Sequence, residues 1–282
     1  ILVEHGRVPD ADNLARDWIV PSVHPASNMR AAEIAGLVAG HIRTMGWTAN
    51  THFDGNQALD VVRLAVLAGL VVRRGADIEN PYLANQFSLA AVSTEYAAAI
   101  DRPLARRALG AKGLRYWWGQ NGAQSGRERN RRAKRRSDQS RYPMETVKTV
   151  DRPTTLIIDD EVPRVPKRAA FFERALQGDL GPKAQAARRR FSFKHPMSYS
   201  QLNVIRAMVP HQDGEVAEQK NARFSDPVEN ARAIKALSYF LGADITGICE
   251  LPEYTWYSHK EDGQPLEPYH KYAVVMLIDQ GF

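Results

Sequence analysis

The sequence contains a single cysteine, Cys249, among 282 residues. One thiol excludes an internal disulfide, and it cannot supply the set of thiolates that holds an iron–sulfur cluster or a structural zinc ion. Reducing surroundings are favoured, so we expect a cytoplasmic protein. The sequence also lacks a run of about 18 uncharged apolar residues, and residues 1–5 (ILVEH) lack the basic and apolar regions of a signal peptide. We therefore expect no membrane association.

The length and composition indicate a globular protein. The chain is about twice the usual domain length of about 150 residues, which favours two domains over one large α/β domain. With 44% hydrophobic and 25% charged residues, it lies near the globular average. Because the apolar run 272–278 (YAVVMLI) almost reaches the last residue, we expect a fragment of a longer protein.

The positive charge is concentrated in one segment. Residues 102–141 carry a net charge of +11, whereas the rest of the chain carries −5. The segment is most basic at residues 127–136 (RERNRRAKRR), shortly after Trp117 and Trp118. Arginines and stacking rings are typical of a nucleic-acid interface, and a basic field could also attract an acidic redox partner. We favour a long solvated loop kept extended by like charges, because no folded nucleic-acid motif accompanies the run.

The first hundred residues alternate predicted helices and strands. Ser27 is a candidate N-cap for a helix over 27–44, followed by a strand over 48–53. A helix over 56–67 ends near Gly69, and Asn80-Pro81 marks a turn before a strand over 88–94. The residues predicted on the buried face of the first helix are Ala31, Ile34, Ala35, Val38, Ile42 and Met45. The pattern predicts a mixed α/β unit.

The middle of the chain has weaker apolar periodicity. It contains a candidate strand over 154–158 and a candidate helix over 167–177 that ends at Gly178. The acidic triplet 159–161 could bind a divalent cation, although an acidic turn after a strand is the commoner explanation.

The last sixty residues are better defined. Asp226, Pro227 and Glu229 predict a capped helix over 227–241 with a capping box. The residues predicted to face a core are Ala231, Ile234, Leu237 and Leu241. Residues 245–249 are predicted as a buried strand, in which Cys249 would be a small apolar filler.

Aromatic residues are densest between that strand and the apolar run 272–278. They are Tyr254, Trp256, Tyr257, His259, Tyr269, His270 and Tyr272, with Lys260 and Lys271 among them. Rings with polar tips suit the wall of a pocket for a flat ligand, but they could equally fasten a long connection onto the core. His259 and His270 do not have the helical spacing of a metal-binding pair.

Two stretches of this region resemble a known family. Residues 231–259 (ARAIKALSYFLGADITGICELPEYTWYSH) and 268–279 (PYHKYAVVMLID) resemble the start of the corrinoid domain of cobalamin-dependent reductive dehalogenases. The soluble, non-respiratory branch is the most similar, and epoxyqueuosine reductase is a more distant relative. The similarity covers about 55 residues with few gaps, so it is more specific than a short motif.

The resemblance implies an α/β fold (α+β sandwich) made of nitroreductase-like corrinoid-domain halves. In the family, the strand that corresponds to 272–278 precedes a helix, a strand and an Ala-Gly-Leu segment, and residues 32–40, 46–47 and 68–70 resemble those pieces. Residues 1–109 would then be the closing half of a degenerate, non-catalytic repeat, since no cysteines follow Leu104. Residues 110–224 would be a basic linker and irregular insert, and 225–282 the opening part of the cobalamin-binding domain.

The resemblance also implies a chemistry. In this family, cobalamin and two [4Fe-4S] clusters serve to remove halogen from organohalides, commonly aromatic ones, with electrons from an external redox protein. The cluster ligands would lie outside this chain, and no catalytic residue or metal ligand can be carried over. The residues that the resemblance suggests are Tyr254, Trp256, Tyr257 and His259 for substrate binding, and Lys271 and Tyr272 for cofactor binding.

We therefore expect the N-terminal portion of a reductive dehalogenase, able to form a homo-oligomer and inactive on its own. One alternative is a nucleic-acid-binding module built on residues 127–136 with Trp117 and Trp118, whose affinity would fall steeply with salt. Another is an epoxyqueuosine reductase, in which the extra degenerate copy is not expected.

Overall fold

Helices and strands alternate along the protein, and its contacts divide into two compact units. A computed structural model describes residues 1–55, 58–105, 113–118, 125–151, 156, 158–190 and 195–279. Unit 1 combines Ile1–Arg141 with His195–Gly242, and unit 2 combines Tyr142–Lys194 with Ala243–Phe282. Most of the strand predicted over 154–158 lies outside the described residues. Within the described part, no helix is both long and apolar enough to cross a bilayer.

The described elements of unit 1 include five strands. They are β1 Leu2–Glu4, β2 Ala49–Phe53, β3 Val72–Arg74, β4 Asp77–Glu79 and β5 Phe87–Thr94. The helices are α1 Arg16–Thr44, α2 Val61–Leu67, α3 Leu114–Trp117, α4 Gly126–Ala133, α7 Pro196–Met208 and α8 Pro227–Phe240. Unit 2 contains α5 Phe171–Gln177, α6 Pro182–Arg190, β6 Ile245–Glu250 and β7 Tyr272–Leu277.

A three-stranded antiparallel sheet, in the order β1-β5-β2, supports unit 1. The strands predicted over 48–53 and 88–94 are confirmed as β2 and β5. Helix α1 packs on this sheet through Ala31, Ala35 and Ala39, which are fully buried. Alanine at these positions lets the helix lie close to the strands, so the core forms between small side chains on α1 and larger ones on the sheet.

Helix α1 begins eleven residues before the predicted start at Ser27. It includes Pro21 and Pro25, which usually end a helix because proline has no N–H to donate. Burial of Ile19 against Phe240 of α8 stabilises this first part of the helix. Ser27 is not a cap: its hydroxyl donates to helix carbonyls and lies 2.6 Å from the hydroxyl of Ser88 on β5. Tertiary packing therefore outweighs the local proline signal.

The predicted end of helix α2 and the predicted turn at Asn80 are present in unit 1. Helix α2 begins at Val61 rather than at residue 56. The Asp60 carboxylate accepts from the Arg63 N–H, and the helix is followed by Gly69 with a positive φ of 68°. The turn predicted at Asn80 is confirmed, since its side-chain carbonyl accepts from the N–H groups of Tyr82 and Leu83. The hairpin of β3 and β4 was not predicted.

Helix α8 has the predicted N-cap but a different buried face. The Asp226 carboxylate accepts from the Val228 N–H at 2.9 Å, as expected. Glu229 accepts from the Arg232 guanidinium at 2.6 Å. The buried apolar residues of the helix are Ala233, Ala236 and Phe240, and Leu241, predicted to face a core, is 61% exposed. Ala233 and Phe240 pack against Ala15 and Ile19, and Leu237, also predicted to face a core, is partly buried against the same cluster.

The arginine-rich run is a helix, which corrects the prediction of an extended loop. The Ser125 hydroxyl accepts from the Glu128 N–H and caps α4. Arg129 pairs with Glu4, and Arg131 pairs with Glu128 at 2.9 Å. Arg136, just after the helix, lies 3.1 Å from both Asp12 and Asp138. Because acidic groups elsewhere in unit 1 neutralise these cations, the run does not need to stay extended.

Two aspartates connect this run to α8. Asp12 lies 2.9 Å from Arg232, and Asp138 lies 3.4 Å from the same guanidinium, so both carboxylates bridge Arg136 and Arg232. These charges are engaged within unit 1, which weakens the nucleic-acid interpretation of the run.

Asp10 holds the end of the same run. Its carboxylate accepts from the backbone N–H of Ser137 at 2.7 Å and from the Ser137 hydroxyl at 2.9 Å. Burial by itself would raise the pKa of Asp10, but these hydrogen bonds, with Arg7 and Arg136 nearby, lower it below its ordinary value. The charged form is therefore the one that the fold stabilises.

We predict that Asp10→Asn destabilises the protein by about 1–2 kcal/mol at pH 7, because hydrogen bonds to a charged acceptor are lost. The lowered pKa means that the carboxylate contributes stability above its unfolded pKa of about 3.9 and loses that contribution as the pH falls through the folded value. The difference between wild type and variant should shrink toward pH 3. Urea unfolding at both pH values measures it, with Asp77→Asn at an exposed carboxylate as the control. A difference that does not change with pH would contradict the assignment.

Candidate functional site

The aromatic segment connects the two strands of a hairpin in unit 2. Strands β6 and β7 pair antiparallel from Ile245 opposite Leu277 to Glu250 opposite Tyr272. The backbone N–H of Leu251 donates to the carbonyl of Lys271 at 2.9 Å and extends the pairing by one step. The two ends of the connection, residues 252–270, are therefore held next to each other.

Cys249 lies on β6, but it is exposed rather than buried as predicted. Among the described residues, β6 pairs with β7 alone, and the side chains from 247 to 250 are all exposed. The apolar pattern predicted the strand correctly, but its predicted burial was wrong. Burial depends on which other elements pack against a strand, and the pattern of the strand itself does not specify them.

The connection folds into a turn followed by a small hairpin. After Pro252, a 3₁₀ turn at Glu253–Thr255 carries Tyr254, which is half-buried. Residues 258–266 then double back: the Leu266 N–H donates to the Ser258 carbonyl at 2.9 Å, and the Lys260 N–H donates to the Gln264 carbonyl at 2.8 Å. Gly263 provides the positive φ of 82° that the tip needs. His259 thus lies on one strand of a hydrogen-bonded hairpin.

A short extended segment from the middle of the sequence holds this small hairpin. The Val165 carbonyl accepts from the Ser258 N–H at 2.9 Å, and the Lys167 N–H donates to the His259 carbonyl at 3.0 Å. Arg164 donates from one guanidinium nitrogen to the carbonyls of Tyr257, at 3.0 Å, and Leu266. Sequence analysis missed this contact. The available signal was Pro163 and Pro166, which favour an extended backbone but do not indicate its partner.

Three rings of the segment form a cluster. The rings of Trp256 and Tyr269 meet edge to face with centroids 4.7 Å apart, and Tyr269 meets His270 in the same way at 4.5 Å. Trp256 is half-buried, and its indole Nε1 is buried without a hydrogen-bond acceptor among the described residues. An unpaired buried N–H is costly, so this atom is a candidate donor for a ligand that reaches the ring.

The other predicted substrate-binding residues remain accessible. Tyr257 is 41% exposed, and the exposed His259 has its Nδ1 3.0 Å from the Ser258 hydroxyl. Among the predicted substrate-binding residues, Trp256 is therefore a half-buried ring with an unpaired N–H, and Tyr257 and His259 are accessible polar rings. Tyr269 contacts Trp256, and His270 contacts Tyr269. Neither was among the predicted site residues.

Lys271 and Tyr272 lie where the connection joins β7. The Lys271 ammonium is 3.4 Å from the Glu250 carboxylate and 5.2 Å from the centroid of the Tyr272 ring. Its hydrogen bond with Tyr272, together with the Glu250 charge, raises the pKa of Lys271 above its ordinary value. The ammonium is therefore charged at neutral pH, and the pair presents hydrogen-bond donors on the exposed end of the hairpin.

The acidic triplet forms a 3₁₀ turn at Asp159–Glu161. Across the described ranges, no three His, Cys, Asp or Glu side chains are placed to hold a metal ion. The arrangement of the aromatic segment suits binding instead: flat apolar faces and an indole donor could hold an aromatic ligand with a polar substituent.

Unit 1 contains a separate apolar cavity of about 370 Å³ between α2 and β5. Its lining residues include Val61, Leu64, Leu70 and Leu89, and among the described residues Asp101 and Ile1, through its ammonium group, are the charged ones. A cavity with so few polar groups cannot orient a substrate, so we do not assign function to it.

Comparison with solved structures identifies close relatives. The chain is 44% identical to the catabolic reductive dehalogenase NpRdhA, with a TM-score of 0.94 over 99% of the chain. A complex of NpRdhA with 3-bromo-4-hydroxybenzoic acid matches equally well, as does a reductive dehalogenase structure from which a mechanism for B12-dependent dehalogenation has been suggested. The resemblance to reductive dehalogenases predicted from the sequence is confirmed.

The similarity covers nearly all of this chain but only part of its relatives. The chain spans 41% of the length of each of these structures. No protein-family model matches the sequence, and no curated protein does.

We predict that Trp256 and Tyr269 stabilise the connection together. In a double-mutant cycle of Trp256→Leu and Tyr269→Leu, urea unfolding should give a coupling free energy of about 0.5–1.5 kcal/mol, as expected for an edge-to-face pair. Phe171, whose ring contacts Phe172, provides the control. Phe171→Leu combined with Tyr269→Leu should be additive, and equal coupling in both cycles would contradict the pairwise contact.

Proposed function

We propose that this chain, a relative of the reductive dehalogenases along 99% of its length, is the N-terminal part of a cobalamin-dependent reductive dehalogenase. The observation that carries the proposal is the 44% identity to NpRdhA at a TM-score of 0.94. Such similarity over almost the whole chain supports a shared role for the segment rather than a shared fold alone.

The proposed substrate is an aromatic organohalide. NpRdhA forms a complex with 3-bromo-4-hydroxybenzoic acid, which supports halogenated hydroxybenzoates as the first class to test. Replacement of an aryl bromide by hydrogen consumes two electrons and one proton and releases bromide. We propose that an external redox protein supplies those electrons and that the assembled enzyme is able to form a homo-oligomer.

Tyr254, Trp256, Tyr257 and His259 are proposed to line the substrate site. Trp256 supports this role because its ring is ordered by Tyr269 while its indole N–H has no acceptor among the described residues. A hydroxyl or carboxylate on the substrate ring is an acceptor of the required kind. The accessible rings of Tyr257 and His259 would add flat contact area and exclude water from the reacting carbon.

Lys271 and Tyr272 are proposed to bind cobalamin. Cobalamin carries amide and phosphate groups at its periphery, and the Lys271 ammonium and Tyr272 hydroxyl are donors suited to such acceptors. The exposure of both side chains at the end of the hairpin fits this role. When bound, cobalamin supplies low-valent cobalt as the centre that cleaves the carbon–halogen bond, and the chain's own residues bind, orient and shield the substrate.

The remaining parts of the enzyme are proposed to lie outside this chain. Two [4Fe-4S] clusters need a set of thiolates, and this sequence has only Cys249. Residues 1–109 are proposed to be the closing half of a degenerate repeat, and the order of α1, β2, α2 and the Ala68-Gly69-Leu70 segment supports this origin. Residues 225–282 would open the cobalamin-binding domain, with 110–224 as the insert between them.

We predict that the full-length protein, reconstituted with cobalamin and a strong reductant, converts 3-bromo-4-hydroxybenzoic acid to 4-hydroxybenzoic acid and bromide. Residues 1–282 alone should release none, because the chain lacks the thiolates for the clusters. Bromide release and product chromatography measure the reaction, with protein not given cobalamin as the control. Full turnover by residues 1–282 alone, or turnover that does not depend on cobalamin, would contradict the proposal.

A second prediction tests the proposed role of Trp256 in substrate binding. Trp256→Phe keeps an aromatic ring but removes the N–H, so KM for the bromohydroxybenzoate should rise about two- to tenfold, the equivalent of one neutral hydrogen bond. Trp47→Phe, at a more exposed tryptophan of unit 1, is the control and should leave KM unchanged. An unchanged KM in Trp256→Phe would remove Trp256 from the site.

A further inference from the structure

The segment around Arg164 belongs to the middle of the sequence, but its contacts are with the aromatic segment. The Arg164 guanidinium donates to the carbonyl of Tyr257 at 3.0 Å and also to the carbonyl of Leu266. Leu266 closes the small hairpin, because its N–H donates to the Ser258 carbonyl, and Tyr257 immediately precedes Ser258. One side chain therefore ties both ends of the hairpin together.

The neighbouring backbone reinforces this contact. Val165 and Lys167 each make one backbone hydrogen bond to the hairpin, at Ser258 and His259 respectively. The Tyr257 carbonyl and the Ser258 N–H belong to the same planar peptide group, so Arg164 binds one polar end of that group and Val165 binds the other. Arginine suits this task because its planar, permanently charged guanidinium loses little freedom on binding carbonyls.

We propose that Arg164 is a positioning residue for the proposed substrate-binding rings. By donating to the carbonyls of Tyr257 and Leu266, it fixes the rings of Tyr257 and His259 for the substrate. The inference rests on the proposed function, since it assigns a role within that site. Arg164 does not touch the substrate. It acts on binding through the backbone, so its loss should affect KM more than kcat or cobalamin content.

The test uses the full-length holoprotein with 3-bromo-4-hydroxybenzoic acid. Arg164→Met keeps the apolar stem and removes the donors, so KM should rise about tenfold (about 1.4 kcal/mol), with kcat changed less than about threefold. Arg164→Lys restores a charged donor and should bring KM back to within about threefold of wild type. Arg168→Met is the matched control, because Arg168 pairs with Asp179 in the same unit and should leave KM unchanged.

Amide hydrogen exchange on the same preparations separates local release from loss of fold. In Arg164→Met, the amides of Ser258 and Leu266 should exchange about tenfold faster, while those of α5 and the visible spectrum of cobalamin stay unchanged. Faster exchange in α5 as well would make Arg164 a general support of unit 2 and overturn the inference. Unchanged KM and exchange in Arg164→Met would also overturn it. A wild-type protein that releases no halide would overturn the proposed function, and exchange would still decide whether Arg164 holds the hairpin.

Discussion

Backbone groups in a long connection need hydrogen-bond partners, and this requirement shapes the aromatic segment. The nineteen residues between Leu251 and Lys271 contain one 3₁₀ turn and no longer helix or strand, so their N–H and C=O groups are not satisfied by regular structure. The small hairpin satisfies some of them, and Arg164, Val165 and Lys167 satisfy others. Because these partners come from about ninety residues earlier in the chain, the rings keep their places only when unit 2 as a whole is folded.

A similar long-range solution neutralises the basic run in unit 1. The seven positive charges in these ten residues repel one another, yet most of the run forms helix α4, which ends at Ala133. Asp12 and Asp138 each lie beside both Arg136 and Arg232, and Asp10 holds the backbone of Ser137. Each exposed pair is worth about 1 kcal/mol or less, but several charges that share partners restrain one another. The contacts make the run part of the fold of unit 1, so its composition alone was a poor guide to function.

The sequence predicted features that depend on neighbouring residues, and it revealed a family resemblance that extends over a long stretch of the chain. The cap at Asp226 and the strands β2 and β5 depend on near neighbours or on a simple alternation, and the resemblance noted over residues 231–279 agrees with the similarity to reductive dehalogenases. The start of α1, the buried face of α8 and the exposure of Cys249 depend on what packs nearby, which no local pattern contains. Arg164 is the clearest case. Its role requires knowing that residues 164–167 meet residues 257–266, and neither stretch carries a signal for the other.

Reductive dehalogenation requires a site that excludes bulk water, which is why this segment is proposed to act only within a longer protein. An aryl halide has to meet a strongly reducing centre away from bulk water, because water competes as a proton source and weakens every oriented contact. Tyr257 is 41% exposed and Tyr269 is 68% exposed in the described structure, so these rings would form one side of the proposed site without enclosing it. The apolar side chains of β7, such as Val275 and Met276, are also more than half exposed. Rings whose backbone is bound by Arg164 and whose faces remain exposed fit the proposal that this segment contributes one face of the site. The enclosing and electron-carrying parts would come from the rest of the proposed enzyme.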